Sequence, residues 1–217
     1  MSLATEGFDV ESLSLGPIDS GTSLLLTGED ADTLQAVFSH LVAADDDERA
    51  IVLSTGSGGR AVQRDLNNAR TGAGNRASVL TCEGPAAGDD IQSVDDISDL
   101  TRLGMDFSTL VASAQQHSDR FRSGIMLCST IASEIDDTRS LYRFLNSNFL
   151  TELRRGDGIG VCALDTSADI GADMNSTISG LQTSFTAHIE VETTGPGRAT
   201  LTVDGLGDSD GTHEIEL

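Results

Sequence analysis

The strongest constraint on this chain is a recurrence. A short, uninterrupted apolar run is followed by a Gly- or Ser-containing break, and then by a segment whose apolar residues return every three to four positions. The runs lie at 23–27, 50–54, 77–82, 124–129 and 158–164. Strands that are apolar throughout need cover on both faces, so the pattern predicts a mainly parallel sheet between two helical layers. The first helix, capped by Asp30 or Asp32, carries Leu34, Val37, Phe38, Leu41 and Val42 on one face. Further helices are expected at about 60–69, 99–116, 138–155 and 174–185. From residue 187 the period changes to two, and 187–192, 198–203 and 212–217 read as an antiparallel meander joined by glycine turns. Residues 84–98, rich in Gly, Pro, Asp and Ser, read as an exposed, mobile loop. The expected class is α/β, a three-layer α/β/α domain over residues 16–217 with a C-terminal antiparallel β-meander, preceded by an N-terminal extension at 1–15.

The charged residues narrow the chemistry. All 13 basic residues are arginine, and 35 acids bring the formal charge to -22. Without an ε-amine there is no Schiff base, no pyridoxal-phosphate anchor, no Ser-Lys dyad and no phosphate-gripping lysine. Acids dominated by Asp, 24 against 11 Glu, with Arg replacing Lys, keep a surface hydrated in concentrated salt. The composition therefore implies the cytosol of a salt-in halophile, and a haloarchaeal origin. No window reaches the ~18–20 apolar residues of a membrane span, and residues 1–6 lack the basic flank and apolar stretch of a signal peptide. A cytoplasmic location without membrane contact is expected.

Cys82, Cys128 and Cys162 each sit inside an apolar run, without the spacing of metal ligands. They read as free core thiols; a shared metal or redox site at three strand ends is the sharper alternative. The histidines, His40, His117, His188 and His213, are scattered singly.

The order of elements resembles the RecA superfamily, particularly its KaiC-like domains. The stretch Gly16-Pro17-Ile18-Asp19-Ser20-Gly21-Thr22-Ser23-Leu24-Leu25-Leu26-Thr27-Gly28 is similar to the lead-in to their phosphate loop. Arg122-Ser123-Gly124-Ile125-Met126-Leu127-Cys128-Ser129-Thr130 resembles their apolar Walker B strand with the Ser-Thr at its end. The helix containing Leu141-Tyr142-Arg143-Phe144-Leu145, the Gly-rich fifth strand and the closing meander fall in the same order. More narrowly, the chain resembles the haloarchaeal HTR-like family, short and acidic versions of this domain. The resemblance implies a RecA-like, P-loop-type fold over residues 16–217.

The same resemblance places the chemistry where this sequence departs from it. Phosphoryl transfer needs a glycine nest, a lysine, a hydroxyl on Mg²⁺ and metal-organising acids. At the phosphate-loop position stand Gly28, Glu29, Asp30, Ala31, Asp32 and Thr33, with only Thr33 resembling the Mg²⁺ hydroxyl. Three carboxylates occupy a helix N-terminus that would otherwise attract phosphate, although Asp30 and Asp32 are more simply helix caps. Cys128 stands at the Walker B aspartate position, and Ser54-Thr55 where an acidic residue would follow the second strand. Arg60 or Arg139 is the candidate compensating cation.

Elsewhere, Glu134, Asp136 and Asp137 either hold a divalent cation or lead into a helix, with Glu83 and Asp165 projecting toward the same edge. Arg120, Arg122, Arg139, Arg143, Arg154 and Arg155 form a positive surface or ion-pair with the abundant acids. DNA binding is disfavoured by the net charge and the absence of a basic tail. The leading expectation is a non-catalytic regulatory or signalling scaffold that binds protein partners and forms a possible homodimer, with no catalytic residues, metal or cofactor. The alternative is a residual ATP-binding protein or weak ATPase that uses ATP with Mg²⁺. The loop at 84–98 and the helix carrying Arg143 are the candidate partner surfaces.

Overall fold

The computed structural model describes residues 7–135 and 137–217; the readings placed on residues 1–6 and on Asp136 lie outside them. β1 (Ser23–Gly28) passes through Glu29 and Asp30 into α1 (Ala31–Val42), and β2 (Glu48–Ser54) is followed by α2 (Gly59–Ala69). β3 (Ala77–Thr81), a short β4 (Ile91–Ser93) and α3 (Leu100–Ala114) come next, then β5 (Arg120–Met126) and α4 (Cys128–Ser133). α5 (Thr138–Phe144), a π-helical turn (Leu145–Phe149) and α6 (Leu150–Arg155) run continuously into β6 (Asp157–Asp165). α7 (Met174–Gln182) precedes β7 (Ala187–Gly195), β8 (Arg198–Asp204) and β9 (Gly211–Glu216).

The strands form one sheet in the order β4-β3-β2-β5-β6-β1-β7-β8-β9. Pairing is parallel from β4 through β7 and antiparallel from β7 to β9. The parallel core is thus wider than the five strands expected. β7 joins it beside β1 before the chain turns into the meander, and β4 lengthens the opposite edge. The 84–98 segment is therefore not wholly loop. Ile91 is buried against α2, where Gly59 makes room for it; a Cβ there would lie 2.4 Å from Ile91 Cγ2.

Two apolar cores flank the sheet. One gathers α1, α2 and the inner face of the meander; the other gathers α3 through α7. Phe8, Val10, Leu13 and Leu15 are buried in the first core. The segment expected to precede the domain as an extension is therefore packed into it from Phe8 onward.

β5 also departs from the apolar run at 124–129. It begins at Arg120 and ends at Met126, so Cys128 and Ser129 are not strand residues. Leu127 takes a left-handed conformation (φ 57°) that turns the chain out of the sheet, and Cys128 opens α4. The strand starts in charged sequence because its charges are paired: Arg122 is fully buried against Glu48, and Arg120 lies near Asp47, Glu48 and Asp157. Neither arginine contributes to a positive surface.

Candidate functional site

A parallel sheet aims its ligand sites at the carboxyl ends of its strands. Here that edge holds a cleft of about 810 Å³ between the ends of β1 and β7 and the start of α7. The β1–α1 junction forms one wall. Gly28 ends the strand, Glu29 and Asp30 are exposed, and α1 begins at Ala31. Asp30 is the N-cap, its carboxylate accepting the Thr33 N–H at 2.8 Å. Its hydrogen bonds from Thr33, side chain and then backbone, hold its pKa below the usual carboxylate range, so the charge at this helix N-terminus is negative down to acid pH. Asp32 lies exposed in the first turn, where an acid is also favourable. The Thr33 hydroxyl accepts from Thr193 Oγ1 at 2.9 Å, which ties α1 to β7.

Gly28 is required by packing. A Cβ on it would stand 2.5 Å from Leu34 Cδ1 and 2.9 Å from the Val191 carbonyl oxygen. Two residues between strand and helix leave little backbone to wrap a phosphate, and the Leu34 N–H is already bonded to the Asp30 carbonyl.

The facing wall comes from β7. Glu190 and Glu192 point into the cleft beside Glu29 and Asp30, and Met174 and Ile178 supply its apolar lining. His188 sits at its base, its Nε2 2.8 Å from Thr27 Oγ1 and its Nδ1 2.9 Å from Gln182 Nε2. An amide N–H donating to Nδ1 leaves Nε2–H to donate to Thr27, which is the neutral tautomer. Burial lowers the His188 pKa, outweighing the opposing pull of Glu190 and Asp204. The cleft is therefore lined by four carboxylates and a neutral imidazole. Neither Arg60 nor Arg139 lies among its described lining residues.

His188, Glu190 and Glu192 were not among the sequence candidates. Their alternation in Ala187-His188-Ile189-Glu190-Val191-Glu192 marks a shared face, but only the parallel pairing of β7 with β1 brings that face beside Glu29 and Asp30.

The other candidates do not converge there. Ser54 Oγ donates to the Ser57 carbonyl (2.8 Å), and Thr55 Oγ1 donates to the carbonyls of Met126 (2.9 Å) and Leu127 (3.1 Å), fastening β2 to the bend after β5. Cys128 and Cys162 are buried side by side in the α3–α7 core, and burial together with Cys128 pushes the Cys162 thiol well above its usual range. Burial, with Glu83 nearby, raises half-buried Cys82 to about 11. Such thiols are poor nucleophiles and metal ligands. Asp137 caps α5 through the Arg139 N–H, Glu134 ends α4, and Asp165 folds onto Ser167. Among the described residues no three or more His, Cys, Asp or Glu side chains are grouped to hold a metal ion, and no helix is long and apolar enough to cross a membrane.

Strand order, crossovers and terminal meander define an α/β protein of the RecA/KaiC-like fold. Two solved structures share it at identities that speak to fold alone. An uncharacterized protein, PH0321 from Pyrococcus horikoshii, in complex with an unknown peptide, superposes with a TM-score of 0.61 at 9% identity, over 93% of this chain and 91% of that one. The KaiC-like protein PH0186 from Pyrococcus horikoshii OT3 gives 0.55 at 11% identity, over 95% and 94%. No curated protein matches the chain. Within this fold the chain belongs to the family described as "Family of unknown function (DUF7504)", whose model matches residues 21–191.

Proposed function

We propose that this protein is a non-catalytic RecA/KaiC-like regulatory or signalling scaffold that acts through protein partners in the cytosol of a halophilic archaeon, as an HTR-like member of the fold. The observation that carries the reading is the charge of the cleft at the β1–α1 junction. Glu29, Asp30, Glu190 and Glu192 line it, and none of the chain's arginines stands among its described lining residues. A nucleoside triphosphate would bring more negative charge to a site with no cation among its described lining residues, and the two-residue junction offers it few free N–H groups. Positions where the RecA resemblance puts catalytic acids serve the core instead, as Cys128, Ser54 and Thr55 do. Partner binding is supported by the similarly folded PH0321, which was solved with a peptide bound. The acid-rich, lysine-free composition supports the halophilic setting. A thermal-shift series with ATP and Mg²⁺ in molar KCl tests the reading. No change in melting temperature at millimolar ATP is expected; a saturable rise would favour the residual ATP-binding alternative.

A further inference from the structure

Among the described residues only Met105 and Leu217 are large apolar side chains left exposed, and Met105, at 62%, is by far the more so. It stands on α3 at the border of a cleft of about 720 Å³ between the first half of α3, Glu134 and Ile135 after α4, and α5. Leu100, Ile135 and Phe144 complete its apolar lining. The two walls are held in register by a close approach, since Gly104 of α3 lies on Asn148 of the π-helical turn, where a Cβ would come within 2.4 Å of Asn148 Nδ2. A π-helical turn inside an α-helix is a frequent mark of a functional surface.

We propose that this cleft docks a basic amphipathic segment of a partner protein, seating one apolar side chain between Met105, Ile135 and Phe144 and one arginine or lysine beside Glu134. The inference rests on the partner-binding reading above and gives it a place and a chemistry. Shape selects a protruding segment: a hollow of this size takes inserted side chains, whereas two such hollows facing each other across a dimer axis would enclose a void. Charge selects the sign. Among the described lining residues the rim carries Asp99, Glu134 and Asp137 against one cation, Arg143. Asp99 and Asp137 each commit an oxygen to a helix N-terminus, accepting from the N–H of Arg102 and of Arg139 at 3.0 Å. Glu134, exposed at the end of α4, is the carboxylate among the described lining residues that caps no helix N-terminus, and it is free to meet a cation.

The experiment uses the full chain labelled with ¹³C at its methionine methyl groups, in 2 M KCl, where the Debye length of roughly 3 Å or less suppresses unspecific attraction to the acidic surface. The probes are two synthetic 12-residue amphipathic peptides, one of Leu and Arg and one with Glu replacing each Arg. The Leu/Arg peptide is expected to shift the Met105 signal saturably, with a dissociation constant below about 100 μM, while buried Met126 stays unmoved. Met105→Asp should abolish this binding and Glu134→Gln should weaken it about fivefold. Both substitutions are at exposed positions, and an unchanged melting temperature verifies the fold of each variant. Equal or tighter binding of the Leu/Glu peptide, Leu/Arg binding that leaves Met105 unmoved, or no binding of either peptide overturns the proposal. ATP affinity is read separately. Failed docking without ATP binding leaves the non-catalytic reading standing, and ATP binding with successful docking removes only that reading.

Discussion

The Arg122 guanidinium clasps the Glu48 carboxylate inside the protein, with Nε 2.6 Å from Oε2 and Nη2 3.4 Å from Oε1. Its remaining donors reach the carbonyls of Leu41 (3.1 Å) and Asp9 (3.0 Å), and the Phe8 ring covers it at 5.5 Å. The pair thereby joins β2, β5, the end of α1 and the N-terminal segment. Removing one partner leaves an uncompensated buried charge, so Glu48→Ala should lower unfolding free energy by about 3–5 kcal/mol. Denaturant unfolding at constant KCl measures this. The double variant Glu48→Leu/Arg122→Met should lose less than either single change, and a Glu48→Ala loss below about 1 kcal/mol would contradict the role given to the pair.

Packing alone calls for a glycine at position 28. Gly28→Ala forces a methyl group onto Leu34 and the Val191 carbonyl and should destabilise the fold by about 1–3 kcal/mol. An unchanged denaturation midpoint would show that α1 yields there, and the glycine would need another explanation.

Much of the sheet was legible because its central strands are apolar on both faces; β1, β2, β3 and β6 lie within a few residues of the apolar runs. Elements fixed by long-range pairing were not. β4 is three residues long and exists through its pairing with Val79, Leu80 and Thr81. The start of β5 looked like surface because nothing near Arg122 in sequence announces Glu48, 74 residues away. The left-handed bend at Leu127 and the π-helical turn carry no local signal strong enough to break an apolar run or a helical period. At the candidate site, the β1 half was readable as an acidic break after an apolar strand. The β7 half depended on a parallel pairing that alternation alone does not distinguish from the antiparallel meander.

Two histidines give a pH dependence with a definite sign. Burial lowers the pKa of His188, and burial together with Arg70 lowers that of His40. The unfolded chain then binds more protons than the folded one below about pH 6.5. Their contribution is fully present above that value and is lost as pH falls through the lowered folded-state pKa. Unfolding midpoints should therefore drop between pH 7.5 and pH 5. His188→Gln, which keeps a polar partner for Thr27, should flatten part of that slope; an identical slope would remove His188 from the account.

Salt should act in the direction the charge dictates. A formal charge of -22 repels itself more strongly as the Debye length grows from ~3 Å at 1 M to ~10 Å at 0.1 M. The melting temperature should fall as KCl is withdrawn from 2 M to 0.1 M. Constant melting across that range would contradict the halophilic assignment.

Isothermal titration of ATP with Mg²⁺ into the protein in molar KCl tests the central claim most directly. With Glu29, Asp30, Glu190 and Glu192 around the cleft and no arginine among its described lining residues, the titration should show no saturable heat up to millimolar nucleotide. A dissociation constant below about 10 μM, roughly -7 kcal/mol, would mean that a cation reaches the site after all, and would contradict the scaffold reading in favour of a nucleotide-binding protein.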